Sequence, residues 1–323
     1  TVFSPCDAIS YVRYFEGIDT RLTPSASTIK PMTMNSLQSA LQTLPVIDTH
    51  EHVRDHSTCR PRSSVTDFAL GFYLNTVLHH ADPRRAPTVL DTRRPDRDRW
   101  SDFCRLWPRL RFTGYGLLLR HILIGWNLPG DPDESLYDPL RERLQGRSPD
   151  QSRRAFEQAG IRQVITHYLA HPNCGGLPSV AAFLTGQAPI APPFHPLLGL
   201  LPFHEFFSRA DLDAVSGIVQ QDLGSLPALE QALGTLLEQA VARGAVGFKD
   251  HAAYSRGLAF GPPDRTAAEH ELHQILNGIP FPAGARRLSD YLFHTLIRRT
   301  TDLGRPLAIH TGYLVGGADP KAN

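Results

Sequence analysis

The sequence predicts an α/β protein built on a parallel β-sheet. Short apolar or β-branched segments at 46–49, 161–169, 196–204, 245–251 and 305–313 have the composition of buried strands. Between the later segments lie stretches with apolar residues at helical spacing. Strands that alternate with helices are typical of βαβ units, whose strands are parallel.

The first predicted strand, 46–49, is followed by a long helical region rather than by a single helix. Four segments carry apolar residues at helical spacing: VTDFALGFYLNTVLHH, DRWSDFCRLWPRLRFTGYGLLLRHIL, ESLYDPLRERL and DQSRRAFEQAG. The Pro-rich and Arg-rich segment 81–99 is predicted to be an exposed loop. The pattern indicates a helical insertion, 53–160, after the first strand.

From residue 161 onward strands and helices follow each other regularly. The helix LPALEQALGTLLEQAVARG ends at Gly244, a C-cap glycine, and the next strand begins at once. Residues 1–33 show weak periodicity and are predicted to be an N-terminal extension, after which Met34 opens a helix. The predicted organisation is therefore an extension (1–33), a sheet-based domain (34–52 and 161–323) and the insertion (53–160).

Composition restricts the function classes. Hydrophobic residues make up 41%, charged residues 20%, and the net charge is +1, which favours an ordinary globular protein without a nucleic-acid or anionic-membrane partner. No apolar stretch reaches the roughly 18 residues of a membrane span, and no signal peptide is evident. The four cysteines are far apart and lack zinc-ribbon or disulfide spacing. We expect a cytoplasmic protein.

The most informative motif is VIDTHEHV (46–53), which ends the first strand with His50 and His52. Side chains two residues apart on a strand lie on the same face. Two imidazoles on one rigid edge form half of a divalent-metal site. A bystander histidine pair is the alternative interpretation of this spacing alone.

Two further residues at predicted strand ends strengthen the metal interpretation. Lys249 lies near the carboxyl end of the fourth predicted strand and His310 near that of the fifth, and in a parallel barrel the carboxyl ends of strands open on one face. Only three of the 33 basic residues are lysines, so Lys249 stands where the composition favours arginine. Lysine can lose its proton and react as an amine, whereas arginine cannot. Three imidazoles and an amine form a ligand set for Zn²⁺ or a similar ion.

The motifs VIDTHEHV, GFKDHAAYSRGL and LAIHTGY together resemble the amidohydrolase superfamily of metal-dependent (β/α)₈ TIM barrels. Within it they are most similar to the amidohydrolase-2-like branch that includes the domain fused to glutamine-synthetase-like proteins. Uronate isomerases, which also carry a helical insertion after the first strand, are more distant. The resemblance runs from about residue 34 to the end.

The resemblance implies roles for four residues. His50, His52, Lys249 and His310 correspond to metal ligands, with Lys249 and His310 also catalytic, and Lys249 to a lysine that many members carbamylate. It implies a divalent metal, zinc first and manganese second, as one or two ions. A carbamate requires an uncharged amine, which burial favours.

Four residues are predicted to contact substrate: His204, His251, Tyr254 and Arg256. Strand-end loops carry functional residues more than their share, but each of the four has a structural role as its alternative. In the branch the fourth-strand motif reads AYRxGL, whereas here Arg256 comes one position later. Its role as an anion clamp is therefore open.

The resemblance also implies a sixth-strand histidine and an eighth-strand aspartate that this sequence does not supply. Five predicted strands cannot close an eight-stranded barrel. The sequence therefore predicts an incomplete TIM barrel: a piece of a longer chain, one part of a split enzyme completed by a partner chain, or a degenerate relative. A homo-oligomer is the other expectation for partners.

The predicted function is a metal-dependent hydrolase that cleaves an amide, C–N or ester bond of a small polar substrate through a metal-activated water. Alternatives are isomerase or decarboxylase activity at the same site, because the fold does not determine the reaction. A non-catalytic scaffold is the alternative from another class.

Overall fold

The computed structural model describes residues 44–171 and 175–311. The described residues form two compact units. The sheet unit comprises 49–55, 164–171 and 175–311, and the helical unit comprises 44–48 and 56–163. The predicted extension 1–33 and most of the predicted helix that begins at Met34 lie outside the described residues.

Five strands form one sheet in the order β1-β2-β3-β4-β5. They are β1 (Val46–Glu51), β2 (Ile161–Leu169), β3 (Phe194–Gly199), β4 (Gly247–Asp250) and β5 (Leu307–Ile309). The pairs β2–β3, β3–β4 and β4–β5 are parallel. Each strand therefore lies beside the next one in the chain, as in the first five strands of a (β/α)₈ barrel. The predicted α/β class and incomplete barrel are confirmed for the described residues.

Twelve α-helices occur in the described residues. The helical unit contains α1 (Val65–Leu70), α2 (Leu74–Ala81), α3 (Ala86–Leu90), α4 (Asp96–Leu110), α5 (Gly114–Gly125), α6 (Tyr137–Gln145) and α7 (Pro149–Gln158). The sheet unit contains α8 (Gly176–Leu184), α9 (Arg209–Val219), α10 (Leu226–Ala242), α11 (Arg265–Leu276) and α12 (Arg286–Asp302). No helix among the residues described is both long and apolar enough to cross a membrane.

The segment 81–99 is not the exposed loop that its composition predicts. It contains α3 and the first turn of α4. Pro87 is accommodated because it lies in the first turn of α3, where its missing N–H is not needed. Arg99 is buried, and its Nη2 donates to Asp67 Oδ1 at 2.6 Å. Burial of one helix face and pairing of the charged side chains favour helices in this segment, although its composition is typical of a loop.

The third strand is shorter than predicted, because it ends at Gly199 rather than at residue 204. A 3₁₀ turn, Leu201–Phe203, follows it. A Cβ on Gly199 would lie 2.9 Å from the Leu169 carbonyl oxygen, so the two strands approach each other closely at this point. The turn then directs His204 away from the strand line.

The face of β4 that a residue occupies decides its role. Phe248 is fully buried in the core formed by the sheet and the helices of this unit. Because side chains alternate along a strand, Asp250 shares the face of Phe248, whereas Lys249 lies on the opposite face. The helices thus cover one face, and the lysine lies on the face that a barrel encloses.

Candidate functional site

Six histidines gather at the carboxyl end of the sheet, and we call them the imidazole cluster: His50, His52, His167, His171, His251 and His310. Each lies in the last part of a strand or directly after one. Parallel strands bring these positions to one edge. The sequence prediction of a convergent edge accounts for four members of the cluster.

His50 and His52 lie side by side, as the strand alternation predicts. Their Nε2 atoms are 3.2 Å apart and their ring centroids 5.1 Å. His52 Nδ1 is buried and has no hydrogen-bond partner. Glu51 points to the other side, where its Oε1 accepts the His52 backbone N–H at 2.6 Å. A buried carboxylate therefore holds the backbone that carries the second imidazole.

His167 and His171 belong to the cluster although the sequence analysis did not select them. The His167 ring lies 4.1 Å from that of His50, and its Nε2 is 3.4 Å from the Thr49 carbonyl oxygen. The His171 ring lies 4.6 Å from His52 and 5.0 Å from His251. The rule that selected Lys249, applied to the end of the second strand, would have found both.

The remaining predicted residues lie on the far side of the cluster. His310 is 6.4 Å from His251 and 4.4 Å from Tyr254, measured between ring centroids. The His310 backbone N–H donates to the Asp250 carbonyl at 2.9 Å. Lys249 is buried between these groups and is close enough to lower the pKa of His167, His171 and His251.

Burial and the charges of neighbouring groups lower the pKa of four histidines in the cluster. Burial, followed by the charges of neighbouring histidines, lowers the pKa of His52 to about 2. Burial, with the charges of neighbouring histidines and Lys249, lowers the pKa of His167 to about 3, of His251 to about 3 and of His171 to about 4. Burial also lowers the pKa of Lys249. At neutral pH these four imidazoles are therefore uncharged, the form that binds transition metals.

The pair His50 and His52 fits two corners of a metal site. Nitrogen ligands about 2.05 Å from a tetrahedral zinc ion are roughly 3.3 Å apart, and the two Nε2 atoms are 3.2 Å apart. Across 44–171 and 175–311, no three His, Cys, Asp or Glu side chains are arranged to hold an ion. The structure thus unites the first two predicted ligands and leaves His310 at the other end of the cluster.

His204 does not lie where the sequence analysis expects a substrate contact. It is fully buried, with Nε2 2.7 Å from Asp250 Oδ2 and Nδ1 3.1 Å from Ser289 Oγ. The 3₁₀ turn after β3 carries it behind β4, to the face covered by helices. A side chain with no exposed surface cannot touch a ligand, so the predicted contact is corrected to a buried hydrogen-bonding role.

Arg256 is held by an ion pair. Its Nη2 lies 2.5 Å from Asp290 Oδ1, and its guanidinium carbon lies 4.2 Å from the Phe260 ring centroid. Both side chains of the pair are almost fully buried, so the pair anchors the loop after β4 to α12. Tyr254, in the same loop, is 50% exposed. Of the predicted substrate contacts, Tyr254 has the accessible surface that the role requires.

Two solved structures share this fold. A uronate isomerase from Thermotoga maritima matches with a TM-score of 0.60 at 14% identity, covering 83% of this chain and 60% of its own. A glucuronate isomerase from Caulobacter crescentus matches with a TM-score of 0.60 at 18% identity, covering 90% of this chain and 62% of its own. The chain thus spans about three-fifths of the length of each. At these identities the likeness establishes the fold.

Sequence comparison adds no relative. No protein-family model matches the chain, and no curated protein is similar to it in sequence.

Proposed function

We propose that this chain is the metal-binding part of an enzyme of the amidohydrolase superfamily, with His50 and His52 as the first two ligands of a divalent ion. The observation that carries the proposal is the 3.2 Å separation of their Nε2 atoms at the carboxyl edge of a parallel sheet. Uncharged nitrogen donors favour zinc or another borderline ion over magnesium or calcium. Such an ion, when bound, supplies a Lewis acid that polarises a carbonyl group and activates water.

Lys249 is the candidate for a third ligand. It is buried on the open face of β4, and burial lowers the pKa of its amine. A larger uncharged fraction favours attack of the amine nitrogen on CO₂, with loss of one proton from nitrogen and formation of a carbamate. The carbamate would place an anionic oxygen donor among neutral imidazoles, where it offsets the charge of an ion. Intact mass of the native chain should then exceed the sequence mass by one CO₂.

The surrounding residues define what the site accepts. Tyr254 is half exposed and its ring lies beside His310, so it borders the site at the rim. His251 is buried between His171 and His310 and supplies a neutral imidazole that can accept a hydrogen bond at one ring nitrogen and donate one at the other. Polar donors at the base and an aromatic rim suit a small polar molecule with a carbonyl group.

Hydrolysis of an amide, C–N or ester bond is the reaction that we propose first, on the resemblance of the strand-end motifs. Isomerisation of a uronate is the second candidate. It is favoured by the two structures of the same fold, which are uronate and glucuronate isomerases. Both reactions begin with a polarised carbonyl, so the ligand set does not separate them.

Metal content tests the proposal directly. The purified chain should retain Zn²⁺ after gel filtration, and His50→Ala and His52→Ala should each weaken Zn²⁺ binding by 100-fold or more, on the order of 2.7 kcal/mol. The matched control is His79→Ala, on an exposed position of α2, which should bind as the parent does. A folded parent chain that binds no Zn²⁺ in equilibrium dialysis would refute the metal site.

Activity then separates the two reactions. The metal-loaded chain should be assayed against N-acyl amino acids and simple esters, and in parallel against glucuronate and galacturonate. Turnover that disappears in His52→Ala identifies the reaction class. A chain that binds Zn²⁺ with no turnover in either panel would support the scaffold alternative and overturn the proposed catalytic role of the described site.

A further inference from the structure

A second polar group lies directly behind the imidazole cluster, on the helix-covered face of β4. Ser289, His204 and Asp250 form a continuous hydrogen-bonded row, with 3.1 Å from Ser289 Oγ to His204 Nδ1 and 2.7 Å from His204 Nε2 to Asp250 Oδ2. His204 and Asp250 are fully buried, and Ser289 is 2% exposed. The row is separate from the imidazole cluster, because its side chains lie on the opposite face of the strand.

Hydrogen bonds satisfy every member of the row. His204 Nε2 lies against Asp250 Oδ2, and His204 Nδ1 lies against the Ser289 hydroxyl, so both ring nitrogens have a partner. The second carboxyl oxygen of Asp250 accepts the Ala252 N–H. The row therefore leaves no buried polar side-chain atom of these three residues without a partner.

Asp250 connects the row to the site through two hydrogen bonds and through its place in the chain. Its Oδ1 accepts the Ala252 N–H at 2.8 Å, which closes the turn that begins at His251. Its backbone carbonyl accepts the His310 N–H at 2.9 Å. In the chain it stands between Lys249 and His251. Fixing the Asp250 side chain therefore fixes the backbone beneath three candidate site residues.

The same helix turn holds the neighbouring loop as well. Ser289 and the next residue, Asp290, both belong to the first turns of α12. Ser289 reaches His204 after β3, whereas Asp290 pairs with Arg256 after β4. Two successive residues of one helix thus anchor the two loops that flank Lys249.

A nucleophilic role does not fit this row, although serine, histidine and aspartate are the residues of a hydrolytic triad. A nucleophile must meet its substrate, and no member of the row has accessible surface for one. The hydroxyl group is directed at His204 inside the protein. The row is therefore suited to a structural role, in which it holds the backbone around Asp250 in place.

We infer that His204 is a positioning residue of the proposed metal centre, which acts through Asp250 on the placement of Lys249, His251 and His310. The inference rests on the proposed function only in its metal-binding readout. Removing His204 leaves the buried Asp250 Oδ2 without its hydrogen-bond partner, so we expect the end of β4 to rearrange. Outer-shell partners of this kind typically contribute 10-fold to 100-fold in metal affinity.

The test compares three variants of the full chain: His204→Phe, Ser289→Ala and the control Thr295→Val. Thr295 is a buried hydroxyl on the same helix that bonds to the Tyr291 carbonyl and to Arg298. It therefore matches Ser289 in burial and in loss of a hydroxyl group without touching the row. Co²⁺ is the probe, because its visible spectrum reports ligand geometry and its affinity is measured by titration.

We expect His204→Phe to weaken Co²⁺ binding about 10-fold and to change the visible spectrum, because Asp250 loses the hydrogen bond that fixes the backbone beneath the site. Ser289→Ala should weaken binding about 3-fold, because only the outer bond of the row is removed. Thr295→Val should bind Co²⁺ as the parent does, even where its melting temperature falls. A folded His204→Phe protein with the parent affinity and spectrum would overturn the inference.

A metal-free measurement separates this inference from the proposed function. Imidazole ¹H–¹⁵N spectra of the metal-free chain should show shifted His251 and His310 resonances in His204→Phe and unshifted ones in Thr295→Val. Unshifted resonances in His204→Phe would overturn the positioning role whether or not the parent binds Co²⁺. A parent that binds no Co²⁺ but shows the shifts would refute the proposed function and leave the positioning role supported.

Discussion

The polar cluster around Asp96 in the helical unit and the imidazole cluster in the sheet unit differ in how their side chains are paired. Asp96 accepts hydrogen bonds from the Ser64 hydroxyl at 2.6 Å and from the Val65 and Thr66 backbone N–H groups. The Tyr137 hydroxyl also donates to it, at 3.1 Å. Each acceptor there meets a donor, and the arrangement caps the start of α1.

The imidazole cluster is built from like groups. Its members face one another, and His52 and His167 each keep a buried Nδ1 without a hydrogen-bond partner. An unpaired buried polar atom opposes folding by about 1–3 kcal/mol, and like groups lower one another's affinity for protons. Donor–acceptor pairing in the cluster around Asp96 stabilises the fold. Ring nitrogens without a hydrogen-bond donor, as in the imidazole cluster, are instead suited to binding a ligand.

The largest difference between the two clusters should be the effect of pH on the free energy of unfolding, which we expect to come from the imidazole cluster. His52, His167, His171 and His251 have folded pKa values of about 2, 3, 4 and 3, whereas an unfolded histidine has a pKa of about 6.5. Below that value the unfolded chain binds protons that the folded chain does not, so stability falls as pH decreases from about 6.5 towards 4. Each fully coupled proton contributes about 1.4 kcal/mol per pH unit.

Urea unfolding of the metal-free chain at pH 7 and pH 5 measures this effect. We expect the free energy of unfolding to decrease by on the order of 7 kcal/mol, about 1.9 kcal/mol for each of the four histidines, and the double variant His52→Leu/His167→Leu to reduce that decrease by about half. An equal decrease in the parent and in the double variant would show that the imidazole cluster is not its source.

The next largest effect concerns the polar cluster around Asp96. Asp96→Ala removes a helix cap and leaves several donors without an acceptor, so we expect it to lower the free energy of unfolding by about 2–4 kcal/mol. The matched control is Asp98→Ala, an exposed acidic residue in the same first turn of α4, which should change stability by less than about 0.5 kcal/mol. Denaturation in urea at pH 7 provides both values. Equal losses in the two variants would contradict the structural role of Asp96.

The smallest effect should have the opposite sign. His167 is buried, and its Nδ1 has no hydrogen-bond partner, so His167→Leu removes an unsatisfied polar atom and keeps most of the side-chain volume. We expect the free energy of unfolding at pH 7 to stay constant or to rise by up to about 1 kcal/mol. The same measurement on the metal-free chain tests it. A loss as large as that of Asp96→Ala would mean that the imidazole cluster is also a stabilising element.

How far the sequence predicts the fold depends on the element. The second strand occupies the predicted residues 161–169, because β-branched residues and a flanking glycine indicate it locally. The segment 81–99 was predicted wrongly, since burial of Arg99 against Asp67 is a tertiary effect that local composition cannot show. The predicted substrate contact of His204 assumes that the third strand continues to residue 204, whereas a 3₁₀ turn follows the strand after Gly199 and the side chain is buried.

The amino-acid sequence by itself determined the parallel sheet and the side-by-side placement of His50 and His52, because strand alternation and hydrophobic period are local properties of the chain. Only the tertiary structure decided which rings of the cluster touch one another, that His310 lies at the far end, and that His204 contacts Asp250 from the helix-covered face. Those relations join residues far apart in the chain: 117 positions separate His50 from His167, and 46 separate His204 from Asp250. They depend on how strands and helices pack, which no local pattern encodes.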